Sequence, residues 1–229
     1  MSTPLGVISS MATRQLLTEL VAQYTRVSGQ AVTLESVGGV DAAKRVQAGE
    51  PFDVVMLASN AIDQLMAAGQ LVPGSRVDLV RSGVALAVRE GAARPDLSSE
   101  AALKQAVLDA QSLSYSTGPS GVALQKMFER WGIAEQIKDR IVQAPPGVPV
   151  GSLVADGRVQ IGFQQLSELL HLPGITIVGP LPPEVQITTV FSGGVTATCR
   201  RADAARAMLA YMASPAANEA KRRQGMEPA

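Results

Sequence analysis

Four short stretches of this chain combine hydroxyl or glycine residues with the end of an apolar run and the start of a helical pattern. They are Ser9-Ser10-Met11, "SVGGVDAAKR" with Gly38 and Gly39, "STGPSG" from Ser116 to Gly121, and "PPGVPVGS" from Pro145 to Ser152. Such junctions suit one kind of chemistry. Free backbone N–H groups at a helix start, reinforced by the helix dipole, favour anions, and Ser or Thr hydroxyls add neutral donors. Glycine lets backbone approach a ligand closely. Each junction also has a plainer reading, since Ser and Thr are ordinary N-caps and Gly and Pro are ordinary turn residues. The candidate ligand-binding residues are Ser9, Ser10, Met11, Gly38, Gly39, Ser116, Thr117, Ser120, Gly121 and Val148, joined by Gln164 and Gln165 at the end of "VQIGFQQ". Arg14 and Arg81 lie near a junction and a crossing, and either could pair with a carboxylate. Lys44 and Arg45 lie further along their helix.

The remaining reactive types are scarce. Cys199 and His171 each stand alone. A lone Cys excludes an intrachain disulfide, and a lone His argues against a zinc site and a Ser-His-Asp triad. His171 falls at a helix end before Pro173-Gly174, where it would serve the last carbonyls. Cys199 falls in a strand pattern and reads as a buried small hydrophobe. Trp131, with Met127 and Phe128, reads as core, and Lys221–Arg223 as a solvated helix end. No metal site and no cofactor are expected.

The elements that must position these residues alternate. "LGVISS" reads as a strand and Ala12–Ser28 as a helix stopped by Gly29. "AVTLESV" is a strand, Asp41–Ala48 a helix, "FDVVMLAS" a strand buried on both faces, and Ala61–Ala68 a helix. This β-α order implies a parallel sheet with helical cover. A second series follows. "SGVALAVRE" is an apolar run, a helix is capped by Ser98 or Ser99, and "SLSYSTG" is a strand. Pro119 opens a helix in "PSGVALQKMFERWG". "DRIVQAPPG" reads as a strand into a loop, "VPVGSLVADG" as a short helix, "VQIGFQ" as a strand and "QLSELLHL" as a helix. "TIVGPLPPEVQ" is extended, "ITTVFSGGVTATC" is a long β-branched run, and two helices close the chain. The class is α/β with two lobes, each a mixed, mostly parallel sheet flanked by helices, and a ligand cleft between. Lobe one is residues 1–81 plus 187–229, and lobe two is 82–186.

The 229 residues carry 20 basic and 20 acidic side chains. A formal net charge of zero leaves no footprint for nucleic acid. No run approaches the ~20 apolar residues that span a bilayer. The start, Met1-Ser-Thr-Pro, lacks the basic and apolar regions of a secretory leader. The expected location is cytoplasmic as the chain is written, or periplasmic if a leader has been removed. The chain is expected to act as a monomer.

The segments "SSMATRQLLTELVAQYTRVSG", "AAKRVQAGEPFDVVMLAS", "PSGVALQKMFERWG", "LVADGRVQIGF" and "ARAMLAYMASPAA" carry a family resemblance. In their order and spacing the chain resembles the molybdate-binding proteins of bacterial ABC transporters, of the type 2 periplasmic-binding-protein fold. That resemblance implies a small anionic ligand held by neutral donors and a transporter membrane component as partner. It places the family's first binding Ser on Ser10 and its Ser-rich second loop on Gly38-Gly39-Val40, where the hydroxyls are missing. The third site falls near Ser120, the next backbone donor near Val148, and a binding Tyr on Gln165. Loss of these side-chain donors costs a tetrahedral dianion its partners. The enlarged pocket suits an organic di- or tricarboxylate better than molybdate. The aconitate isomerases, a similar enzyme branch, interconvert cis and trans tricarboxylates. In that case Glu35, Lys44 or Glu168 would be the base. A ligand-sensing domain that signals to a partner is a third possibility.

Overall fold

A strand that ends in polar residues and feeds a helix recurs throughout the chain. The structure, a computed structural model, describes residues 3–145 and 147–229. In chain order the first elements are β1 (Leu5–Ser10), α1 (Arg14–Ser28), β2 (Val32–Val37), α2 (Gly39–Gln47), β3 (Val54–Ala58), α3 (Ser59–Ala67) and β4 (Val77–Arg89). Then come α4 (Glu100–Asp109), β5 (Leu113–Tyr115), α5 (Pro119–Arg130), α6 (Ala134–Ile137), α7 (Val150–Ala155), β6 (Ile161–Gln165) and α8 (Leu166–Leu169). The chain closes with β7 (Ile175–Pro180), β8 (Thr188–Val195), α9 (Ala202–Ala213), α10 (Asn218–Arg223) and β9 (Glu227–Pro228).

The chain divides into two compact units, one of residues up to Arg81 together with Val190–Ala229, the other Ser82–Thr189. In the first unit β1 pairs in parallel with β2 and β3, and β8 pairs antiparallel with β3. The start of β4 takes β9 as an antiparallel neighbour. Leu5, Val7, Val54 and Met56 of the sheet pack with Leu16, Leu17 and Leu20 of α1 and Met208 and Met212 of α9. Ile8, Val55 and Leu57 face the other way, against α2 and α3. β3 is buried along its whole length, because helices cover both faces. Gly29 ends α1 in the left-handed conformation, at φ 72°.

In the second unit the end of β4 pairs antiparallel with β6 and β7, and β5 pairs in parallel with β6. Val84, Leu86, Phe163, Leu124 and Phe128 form its main core. Ser99 caps α4 by accepting from the Ala102 N–H at 3.1 Å.

Four local expectations change. Ile141 makes only an isolated bridge to Leu113, so "DRIVQ" is not a strand; it follows a 3-10 turn that already spends its first residues. Cys199 lies past the end of β8, half-buried, where its Sγ accepts from the Arg201 N–H. The helix expected over "QLSELLHL" is the single turn α8, and His171 is exposed beyond it. Lys221 is 1% exposed rather than solvated, because α10 turns this residue into the sheet-and-helix core while Arg222 and Arg223 stay outside.

Candidate functional site

In the first unit the carboxyl end of β1 carries two serines with opposite roles. Successive strand residues point to opposite faces. Ser9 is fully buried, and its Oγ lies 2.8 Å from Ser36 Oγ on β2, its register partner. Ser10 Oγ is buried and has no hydrogen-bond partner among the described residues. Ser10 occupies the N-cap position of the 3-10 turn Met11–Thr13 but makes no capping bond. Its carbonyl instead accepts from Thr13 Oγ1 at 3.2 Å. A buried hydroxyl left unsatisfied costs stability, so Ser10 is a donor in reserve at a helix start.

Gly39 stands next to it. A Cβ built there would lie 3.7 Å from Ser10 Cβ, so the absent side chain leaves room beside the free hydroxyl. Gly38 is the N-cap of α2, again without a side-chain cap. Met11 is half-buried. Arg14, the first residue of α1, is exposed and its guanidinium makes no ion pair among the described residues. Arg81 is exposed on β4 and donates to the Pro228 carbonyl at 3.0 Å. Glu35 and Lys44 are exposed, and Glu35 is held below its usual range by a hydrogen bond from Arg45. Arg45 also pairs with Glu50 and lies over the Phe52 ring. That cluster occupies its own charges.

The second unit gathers the other strand ends. Ser120 is buried in the first turn of α5, and its Oγ lies 3.1 Å from Ser116 Oγ. Gly121 is required there, because a Cβ would stand 1.6 Å from the Ser116 carbonyl oxygen. Thr117 is exposed. The Val148 N–H, near which the family's next backbone donor was expected, donates to the Pro145 carbonyl at 3.0 Å. Pro146, in the same junction, lies outside the described residues.

Gln164 and Gln165 end β6 and are both buried. Gln164 accepts from the Gly151 N–H at 3.2 Å and donates to Glu168 Oε1 at 2.9 Å. Gln165 Nε2 donates to Thr189 Oγ1 at 2.9 Å, and its Oε1 is buried without a partner. Turning the amide over would give Thr189 the oxygen and leave the NH2 free, so either orientation keeps one polar atom available.

Three further buried oxygens of this unit lack partners: Ser82 Oγ, Ser114 Oγ and Gln186 Oε1. Gln186 lies along Gly83, where an added Cβ would be 3.1 Å from its Nε2. Sequence reasoning missed Ser82, Ser114, Thr189 and Gln186. The only signal was a polar residue inside an apolar run, as in "RSGVALAV" and "LSY". Desolvation raises the Glu168 pKa to about 7, against a hydrogen bond from Gln164 that lowers it, so both protonation states are present near neutrality. A groove of about 390 Å³ elsewhere in this unit is lined by Val88, Arg94, Asp96 and Ile161. It lies at the opposite end of β6 from Gln165. Among the described residues no group of three His, Cys, Asp or Glu side chains is placed to hold a metal.

The first unit thus offers the Ser10 hydroxyl and the exposed Arg14, and the second offers Ser120, Gln165 and the partly neutral Glu168 carboxyl. The chain is 40% identical over 234 residues to an aconitate isomerase of a Pseudomonas species, covering 99% of this chain and 88% of that protein. Its fold matches the periplasmic molybdate-binding protein of Azotobacter vinelandii at TM-score 0.81 and 21% identity, over 97% and 98% of the two chains. The sulfate-binding protein of Mycobacterium tuberculosis matches at TM-score 0.80 and 14% identity, over 99% of this chain and 87% of that one. These likenesses give the architecture as the two-lobed type 2 periplasmic-binding fold. Residues 5–227 match the family described as bacterial extracellular solute-binding protein, and the chain belongs to that family.

Proposed function

We propose that this protein binds a small organic polycarboxylate and interconverts its cis and trans forms, as an aconitate isomerase does. The observation that carries this reading is the 40% identity to a protein of that name, sustained over 99% of the chain. The sites agree with it. Gly38 and Gly39 offer space where a tetrahedral oxyanion would need hydroxyls. Ser10, Ser120 and Gln165 offer neutral donors, and Arg14 offers a cation not already committed. Arg81, engaged with Pro228, is the weaker cation.

Isomerisation of this kind needs no cofactor. A base takes a proton from the methylene carbon, and the C–H electron pair becomes an allylic carbanion delocalised toward a carboxylate. A proton then adds at the former vinylic carbon, and the double bond has moved by one position. Hydroxyl and amide donors stabilise the carbanion by hydrogen bonding its carboxylate oxygens.

The test is direct. Purified protein is incubated with cis-aconitate, and the trans isomer is followed by proton NMR. Conversion from either side to the same final ratio is the expected result. No conversion at any pH between 6 and 9 (roughly the range spanning the relevant titrations) would sink the enzyme reading.

A second reading is a receptor that delivers its ligand to an ABC transporter. The family description and the molybdate- and sulfate-binding relatives favour it. It predicts binding of an anion, seen by calorimetry, with no conversion.

A further inference from the structure

Glu168 is a partly buried acid of the second unit that makes no ion pair among the described residues. It stands in the single turn of α8, just past the carboxyl end of β6. β6, α7 and β7 carry no ionisable side chain, and Glu168 is the only one in α8. β4 contributes Ala85 and Ala87 to the packing around Leu169, and its Arg89 sits further along, opposite Ile175. Asp156 and Arg158 follow α7, and His171 follows α8. None of these charges is a cause of the Glu168 shift, which comes from burial, opposed by the Gln164 hydrogen bond.

An uncompensated acid in such surroundings costs the fold stability, yet its orientation is carefully fixed. Gln164 Nε2 donates to its Oε1 at 2.9 Å, and Gln164 Oε1 accepts from the Gly151 N–H at 3.2 Å. One buried amide therefore clamps the carboxyl to the first turn of α7. Gly151 itself fits against Leu169 and Leu172, where a Cβ would approach Leu172 to 2.5 Å, so the clamp rests on a rigid contact. The second carboxylate oxygen takes no part in the clamp.

We propose that Glu168 is the acid–base residue of the isomerisation and that Gln164 is its positioning residue. This inference rests on the isomerase reading above. The ionised carboxyl accepts the methylene proton while the C–H pair enters the allylic system. The resulting carboxylic acid gives a proton to the carbon at the other end of that system, which regenerates the carboxylate. Atoms and electrons balance with no other reactant. A group that titrates near neutrality can both take and return a proton.

The experiment compares wild type with E168Q and Q164L, using cis-aconitate in D2O and calorimetry with tricarballylate, a saturated analogue. E168Q is expected to lose roughly 100-fold or more in kcat and most deuterium incorporation, with analogue affinity little changed. Wild-type kcat/KM should show an acid limb near the carboxyl's own titration, at about 7. Q164L should turn over more slowly and move that limb to higher pH, because it removes the bond that orients the carboxyl and holds its titration down. A limb that stays put in Q164L overturns the positioning role. Wild-type turnover with E168Q equally active overturns the role of Glu168 and leaves the isomerase reading standing. Should E168Q fail to fold, a wild-type profile without a limb near neutrality overturns it instead. A wild type that binds the analogue but neither converts cis-aconitate nor exchanges deuterium sinks the isomerase reading, and this inference with it.

Discussion

Ser9 and Ser36 face each other across adjacent parallel strands, with hydroxyl oxygens 2.8 Å apart, while Ser10 holds a buried hydroxyl that nothing satisfies. One hydroxyl is spent within the sheet, and the other is the one we propose for the ligand. S9A should therefore cost about 1 kcal/mol of stability with ligand affinity unchanged. S10A should leave the melting temperature within a degree or two (roughly the effect of a few tenths of a kcal/mol) and weaken binding. Thermal melts and calorimetry on both variants check this; equal losses of affinity would contradict it.

Gly121 and Gly118 provide a paired test of the third junction. G121A places a Cβ 1.6 Å from the Ser116 carbonyl oxygen, and the backbone must move. A loss of about 3 kcal/mol or more is expected. G118A meets only Ser116 Oγ, at 3.9 Å, in an extended conformation with φ −78°. It should be tolerated, with denaturant midpoints near wild type.

Glu168 should leave a signature in stability as well as in rate. Its folded pKa, about 7, lies above the ordinary 4.5. The folded state therefore binds the proton more tightly than the unfolded chain. The burial penalty is absent below the unfolded value and grows as pH rises through about 7. Its full size for a shift from 4.5 to about 7 is roughly 3 kcal/mol. Denaturation of wild type against E168Q between these limits should give a falling curve for the first, relative to the second. Parallel curves would mean the carboxyl is not buried in solution.

Lys221 is a buried charge of the first unit, with its ammonium pushed below its usual range by burial. Below that lowered value it is charged in both states, and there the fold bears the cost. That cost is relieved as pH rises from the lowered value toward 10.5. K221M keeps the length of the side chain and removes the charge. It should raise stability by about 1 kcal/mol at neutral pH, and the gain should shrink in alkaline buffer. A destabilised K221M would indicate that the amine has a partner that matters.

Arg14 and Arg81 separate the two candidate cations. Arg14 carries no ion pair among the described residues, whereas Arg81 is bonded to the C-terminal β9. R14A should weaken tricarballylate binding by roughly 1 kcal/mol, given its exposure. R81A should instead lower stability slightly and leave affinity alone. The reverse pattern, measured by calorimetry, would return the role to Arg81.

The sequence by itself determined the α/β class, the order of the longer elements and the strand-to-helix junctions that we propose hold the ligand. These depend on local signals. Helical periodicity marked α1, Pro119 opened α5, Ser99 capped α4, and continuous apolar runs marked β3 and β6. The resemblance in "LVADGRVQIGF" and its companions pointed to the family for the same reason, since it too is written in contiguous residues. Only tertiary structure decided which polar groups are used up. Ser9 and Ser10 are identical in type and adjacent, yet β2 supplies a partner to one and none to the other. Val148 lost its free N–H to a turn, and Glu35 lost its reach to Arg45. Lys221 and Glu168 are ordinary surface types in the sequence; desolvation makes one costly and, against the Gln164 hydrogen bond, poises the other near neutrality. A hydrogen bond or a desolvated charge is a property of neighbours brought from distant positions, and residue type and local spacing carry no record of them.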